Sequence, residues 1–118
     1  MTISPRGIRV CGTGVAVPEQ VLTSDEIDRG FGLPKGTVFK RYGVRSRHRT
    51  THENAASLAA QACEAALARA EMRWDDIDCL VAASATMDQA LPYNAALILA
   101  EIGERAGSAQ SGSRGPHL

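Results

Sequence analysis

The stretch that decides the fold is Trp74 to Gly103, WDDIDCLVAASATMDQALPYNAALILAEIG. Within it, Ile77 to Ala83 is a short apolar run ending in small residues, the pattern of a parallel strand buried on both faces, and Pro92 to Ile102 then opens an apolar helix. Strand, loop and helix make an α/β unit. The middle, Ser84 to Pro92, is therefore a loop at the carboxyl end of a strand, where open α/β folds place their binding sites.

Working outward, Asp75-Asp76-Ile77-Asp78 reads as the turn into that strand, with Trp74 expected over its edge. Upstream lies an alanine-rich segment, Asn54 to Met72, strongly helical by propensity and capped by Asn54 or Thr51. Ala55, Ala59, Ala62, Cys63, Ala66 and Ala70 fall on one face at helical spacing, so that side can press closely on a sheet. Ile8 to Val17 alternates imperfectly and ends at Pro18, which predicts a first strand. Gly12 and Gly14 leave one face of it bare, permitting a close backbone neighbour or a bulge. A dinucleotide fingerprint is excluded, because position 17 is Val17 instead of glycine and Pro18 follows where a helix should start.

Between these elements, Thr23 or Ser24 is a candidate N-cap with Asp25 and Glu26 behind it, predicting a short helix to about Phe31. A second, Thr37 to Tyr42, should end at Gly43 as a left-handed cap. Val44 to Arg49 then leads out as extended chain. Arg29, Lys35, Lys40, Arg41, Arg45, Arg47 and Arg49 carry seven bases with no acid among them up to His52. Three readings stand: a solvated loop, a site for a phosphorylated ligand or an acidic carrier protein, and a nucleic-acid surface. The last is the weakest, since only Phe39 and Tyr42 could stack and no nucleic-acid motif is present.

Composition sets the outer bounds. The 118 residues are 44% apolar with 13 acids against 13 Lys and Arg, enough for one modest globular domain. No run approaches the ~18 apolar residues of a membrane span, and Met1 to Val17 has no signal-type apolar core, so a cytoplasmic protein is expected. Cys11, Cys63 and Cys79 are odd in number and widely spaced, which argues for buried thiols and against a disulfide framework. None has a helix N-terminus or a cation beside it to make a nucleophile. His48 and His52 lack a clustering carboxylate or thiol, so no metal is expected. Ser57 and Ser84 have no evident base. No catalytic residue and no cofactor are predicted.

Three pieces carry a family resemblance: Gly12-Thr13-Gly14 followed by Pro18, Arg41-Tyr42-Gly43-Val44-Arg45-Ser46-Arg47, and the Ala82 to Pro92 strand and loop ending in Leu-Pro. Together they resemble the amino-terminal part of a β-ketoacyl-acyl-carrier-protein synthase III over residues 7 to 103. The resemblance implies an α/β, thiolase-like fold, an incomplete amino-terminal half of a layered αβα architecture. It implies decarboxylating Claisen condensation of acyl-CoA with malonyl-carrier protein, in a homodimer, by a Cys-His-Asn triad that has no counterpart here. By the same resemblance Arg41 contacts coenzyme A, Thr37 stands where other members stack a tryptophan, and Leu91 reaches across the dimer into the partner's acyl pocket. Acyl-CoA and acyl carrier protein are the expected partners, with neither nucleic acid nor membrane. The alternative is a non-catalytic module that binds coenzyme A, a carrier protein or a ketosynthase subunit.

Beyond Gly103 the chain turns to Glu-Arg-Ala-Gly-Ser-Ala-Gln-Ser-Gly-Ser-Arg-Gly-Pro-His-Leu. Residues 1–103 are expected to form the partial domain and residues 104–118 a disordered, divergent tail. An altered reading frame or premature end is the favoured explanation, and a short protein with a diverged tail the other. Leu97, Ile98, Leu99 and Ile102 are expected to lack cover, and the chain to fail as a stable, condensing monomer.

Overall fold

The computed structural model describes residues 7–111, with side chains to residue 107. The chain divides into two units, residues 17–54 and residues 1–16 with 55–118.

The smaller unit is a helical excursion between two short strands. Strands β1 (Gln20–Thr23) and β2 (Ser46–Arg49) pair antiparallel, with Gln20 opposite Arg49 and Thr23 opposite Ser46. Helix α1 (Ser24–Gly30) starts at Thr23, whose hydroxyl accepts the Glu26 amide while the Glu26 carboxylate accepts the Thr23 amide, a reciprocal cap. The Thr23 hydroxyl also donates to the Glu26 carboxylate at 2.7 Å, and that bond first, then the Thr23 amide, holds the Glu26 carboxyl below its ordinary value. Helix α2 (Thr37–Tyr42) has the predicted bounds and ends at Gly43, whose φ of 69° is the left-handed cap that glycine adopts at no steric cost.

Asp28 ties the unit together. It is 1% exposed, and its carboxylate accepts the amides of Gly36 at 2.7 Å and Val38 at 3.0 Å. A buried carboxylate needs such partners, and these amides are the orphan donors at the start of α2. Glu53 does similar work within the same unit, just beyond the ends of β1 and β2. Its carboxylate accepts the amides of Glu19, Thr51 and His52 at 3.1, 3.0 and 3.3 Å. The Thr51 amide first, then that of Glu19, draws its acidity from 4.5 to about 2. The folded value is the depressed one, so Glu53 contributes stability fully above pH 4.5 and loses it as pH falls toward 2. An NMR titration should therefore show the Glu53 carboxyl and the Thr51 amide moving together with a midpoint near 2, and E53Q should abolish that step. A midpoint near 4.5 would contradict the bonding.

The larger unit is built on α3 (Ala55–Ala70) and α4 (Asn94–Ser111), which pack together. Ala56, Ala60, Ile98 and Ile102 form its buried core, with Ala59, Trp74, Leu80 and Leu97 half-buried around it. This corrects two expectations. Ile98 and Ile102 are covered by α3, leaving Leu99 exposed, and Trp74, in a short 3-10 turn (Trp74–Asp76), packs on that cluster. Small residues at 56 and 60 let the helices approach closely enough to enclose the isoleucines.

The helix α4 also runs further than the sequence suggests. Residues 104–111 of the expected disordered tail are helical, and residues 112–118 lie outside the described residues. Glu104, Arg105, Ala106 and Gln110 favour helix enough to absorb Gly103 and Gly107, each costing about 1 kcal/mol against alanine. Arg105 Nε also lies 3.3 Å from Glu64 of α3.

Neither expected core strand forms a ladder. Residues 7–18 and 77–84 carry no strand pairing, and the pair β1 and β2 is the only sheet among the described residues. The first segment still alternates: Gly12, Gly14 and Ala16 are half-buried, whereas Cys11, Thr13 and Val15 are exposed. Its glycine face lies directly on α3. A Cβ on Gly14 would collide with the Ala62 carbonyl and the Ala66 amide, and one on Gly12 would meet the Ala66 carbonyl and Ala70. Arg69 adds a bond from its guanidinium to the Thr13 carbonyl at 2.9 Å. The small-residue face of α3 thus does press on extended chain, as its spacing implies, while the other face of that chain is bare. For the same reason the thiols are not all buried: Cys11 and Cys79 are exposed and Cys63 is intermediate.

Candidate functional site

The loop from Ser84 to Pro92 is held from two sides. Asp88 accepts the amides of Ala55 and Ala56, both at 2.9 Å, so its carboxylate caps the start of α3. Negative charge is favoured there by the exposed amides and the helix dipole together. Asn94, buried in the first turn of α4, accepts the Asp88 amide at 3.2 Å and donates to the Thr86 carbonyl at 3.3 Å. The loop is thereby pinned to the amino ends of both helices.

Leu91 sits on the free part of this loop, 72% exposed, ahead of a cis bond to Pro92. Gln89 Nε2 donates to its carbonyl at 2.8 Å. Beneath the first part of the loop is a cavity of about 250 Å³, formed by the chain from Leu80 to Ser84 with Ala59, Cys63 and Ile98. Leu91 is not among its lining residues. Its lining is mostly apolar, with Ser84 and Asn94 as polar members, and it bears one thiol, Cys63, set mid-helix as the sequence suggests.

In the smaller unit, Arg41 lies in the last turn of α2, exposed, with its guanidinium carbon 5.6 Å from the centre of its neighbour's ring, Tyr42. Arg45 lies over Phe39 at 5.2 Å. Such placements hold a cation by the ring's negative face at little cost in hydration. An open groove of about 560 Å³ runs past Lys35, Gly36, Phe39 and Arg45, with Thr23 to Asp25 opposite. Lys35 is paired with Asp25 at 3.2 Å, so one of the seven bases is partly neutralised by an acid just upstream of them. Arg41 does not line the groove. Arg47 and Arg49 stand exposed on β2. His48 Nδ1 bonds the Pro18 carbonyl at 2.6 Å, and His52 lies against Thr51 and Glu53.

Arg41 and Leu91 belong to different units. Asp28, Glu53 and Asp88, the carboxylates that organise both regions, were not singled out by sequence spacing. Each has a partner between 8 and 34 residues away, beside the local bonds of Glu53 to Thr51 and His52. A local signal exists for Asp28, which precedes the Gly-x-Pro-x-Gly turn, Gly32 to Gly36, that its carboxylate closes.

Comparison with known proteins follows the same lines. A β-ketoacyl-[acyl-carrier-protein] synthase III from Rhodospirillum centenum is 35% identical over 101 residues, 85% of this chain and 31% of that protein. Its counterpart from Symbiobacterium thermophilum is 36% identical over 104 residues, 87% of this chain and again 31% of the relative. The crystal structure of 3-oxoacyl-(acyl carrier protein) synthase III from Pseudomonas aeruginosa PAO1 superposes with a TM-score of 0.68 at 28% identity, covering 88% of this chain and 38% of that one. No family model matches. The chain thus spans just under a third of the length of these curated relatives. The fold over the shared residues is that of the thiolase-like condensing enzymes. Within that class the chain is a partial one of β-ketoacyl-acyl-carrier-protein synthase III type, corresponding to the amino-terminal part of its relatives.

Proposed function

We propose that this chain is a cytoplasmic, truncated portion of a fatty-acid or polyketide condensing enzyme, related by descent to acyl transfer from acyl-CoA to malonyl-carrier protein but without that activity alone. The observation that carries the reading is a thiolase-like fold over nearly all of the chain against only 31% of a relative's length. A thioester intermediate needs an activated nucleophile and an oriented base. The three cysteines here sit on bare extended chain or mid-helix, and no cluster of three or more metal-ligating side chains occurs among the described residues. No helix among these residues is long and apolar enough to cross a membrane.

In this reading Arg41, with the bases around it, contributes to binding the phosphates of coenzyme A, and Leu91 lines an acyl pocket across a homodimer. Exposure of both side chains supports these roles, since each must meet something outside its own unit. Leucine at 91, smaller than an aromatic, leaves room for a longer or branched acyl group. The second reading, a non-catalytic module for coenzyme A, a carrier protein or a ketosynthase subunit, draws on the same basic surface.

Calorimetric titration of coenzyme A into the chain tests the Arg41 assignment. R41A should weaken binding by roughly threefold to tenfold at low salt, as expected for one charge-assisted contact, and the difference should shrink as salt rises. Equal affinity of the two proteins at low salt would overturn it.

A further inference from the structure

Every residue from 81 to 93 is exposed, so apolar burial does not hold the loop that carries Leu91. Hydrogen bonds do, and they run in series toward that leucine. Asp88 makes the first: each of its oxygens takes one amide at the start of α3, Oδ1 that of Ala55 and Oδ2 that of Ala56, both at 2.9 Å. A carboxylate gripped through both oxygens by adjacent backbone amides is fixed in orientation as well as in place. Asn94, 8% exposed, grips the same residue by its backbone, accepting the Asp88 amide at 3.2 Å while donating to the Thr86 carbonyl at 3.3 Å. From there Gln89 Nε2 reaches the Leu91 carbonyl at 2.8 Å. Leu91 thus stands midway between two clamped residues, Asp88 before it and Asn94 after it.

We propose that Asp88 is a positioning residue, which by its two bonds to α3 sets where Leu91 is presented and hence which acyl groups the pocket lined by Leu91 accepts. The inference rests on the acyl-pocket role given to Leu91 above and deepens it. In that reading the size of leucine decides the room left for an acyl chain; its place decides it as well. A side chain that measures a ligand must be held to within about 0.5 Å, and an exposed leucine on a loop reaches that precision only through its supports. Asn94 belongs to α4, the helix into which the loop itself runs, whereas Asp88 ties the loop to α3, 32 residues back along the chain. Removing the carboxylate therefore frees the loop from the helix that fixes its distance from α3. A cap that served α3 alone would leave Leu91 indifferent to its loss.

The test titrates acetyl-CoA and hexanoyl-CoA calorimetrically into the 118-residue chain and reads the ratio of the two affinities beside the NMR order parameter of the Leu91 amide. In the parent that amide should be rigid, near about 0.85, and in D88A it should fall below about 0.6. The affinity ratio should change at least threefold in D88A, as it should in L91A. D88N keeps one acceptor oxygen and the shape of the side chain, so it should fall between parent and D88A. Unchanged Ile98 and Ile102 methyl shifts mark a folded core, and where D88A loses them D88N carries the comparison. A role confined to capping α3 would weaken both acyl-CoAs equally and leave the ratio where it was. A mobile Leu91 in the parent, or a rigid one in the folded Asp88 variant, would overturn the proposal. So would a ratio that L91A moves and neither Asp88 variant does, with the acyl-pocket role left standing. A ratio that L91A itself leaves unmoved would overturn that role and the proposal together.

Discussion

Replacing Gly14 by alanine should detach residues 7–16 from α3. The added Cβ has no room, because it would meet the Ala62 carbonyl and the Ala66 amide, atoms fixed by the hydrogen bonding of a helix interior. A flexible side chain could yield, but backbone in mid-helix cannot, so the whole segment must move outward. Overpacking against side chains costs about 1–3 kcal/mol, and a collision with backbone belongs at or above the upper end. G12A should act in the same direction, meeting the Ala66 carbonyl and the Ala70 methyl. Limited proteolysis reads this directly: the variants should be cut within residues 7–16 at least tenfold faster than the parent chain, with α3 and α4 cut no faster. Equal rates would mean that the glycine face is not against the helix.

The second large effect is expected at Asp28. Alanine there removes both acceptors from the amides of Gly36 and Val38 and leaves them beside an apolar gap. Losing a charged acceptor costs about 1.5–3 kcal/mol, and leaving buried donors unpaired costs as much again as a single desolvated group, about 1–3 kcal/mol. A unit of fewer than 40 residues has little surplus to absorb such a loss. D28A should therefore unfold residues 17–54, seen as collapse of amide shift dispersion for α1 and α2. D28N, which keeps one acceptor oxygen, should be intermediate. A D28A spectrum that keeps the dispersion of the parent would contradict the bonding.

These two sites show what spacing along a chain does and does not reveal. Gly12 and Gly14 were legible as a close-approach face, and Ala62, Ala66 and Ala70 as the small-residue face of a helix, because each pattern is periodic within its own element. The start of α1 at Thr23 and the bounds of α2 were legible because caps are decided by residues three or four apart. A strand differs in kind. The alternation at Cys11 to Ala16 is present, but a ladder is made by a neighbour, and the described residues provide none for it or for Ile77 to Ala83. Long-range carboxylates escape for a related reason. Asp88 reaches back 32 residues to cap α3, and Glu53 reaches 34 residues to the amide of Glu19. Nothing near either position announces the partner. Gly103 misled in the opposite sense, since a single glycine marks a stop only where the residues beyond it disfavour helix. Leu91 was singled out by resemblance alone, and Arg41 by resemblance together with its place among the seven bases. Their exposure leaves the coenzyme A and acyl-pocket roles as proposals to be tested.

The central claim is that a chain with this fold and this third of its relatives' length does not form an acyl-enzyme by itself. Intact mass spectrometry after incubation with acetyl-CoA measures that step without depending on a carrier protein or on turnover. The account predicts an unmodified mass, with Cys11, Cys63 and Cys79 gaining acyl groups no faster than cysteine in an unstructured peptide. A single acyl adduct forming well above that rate, mapped to one of these cysteines and abolished by its change to serine, would contradict it.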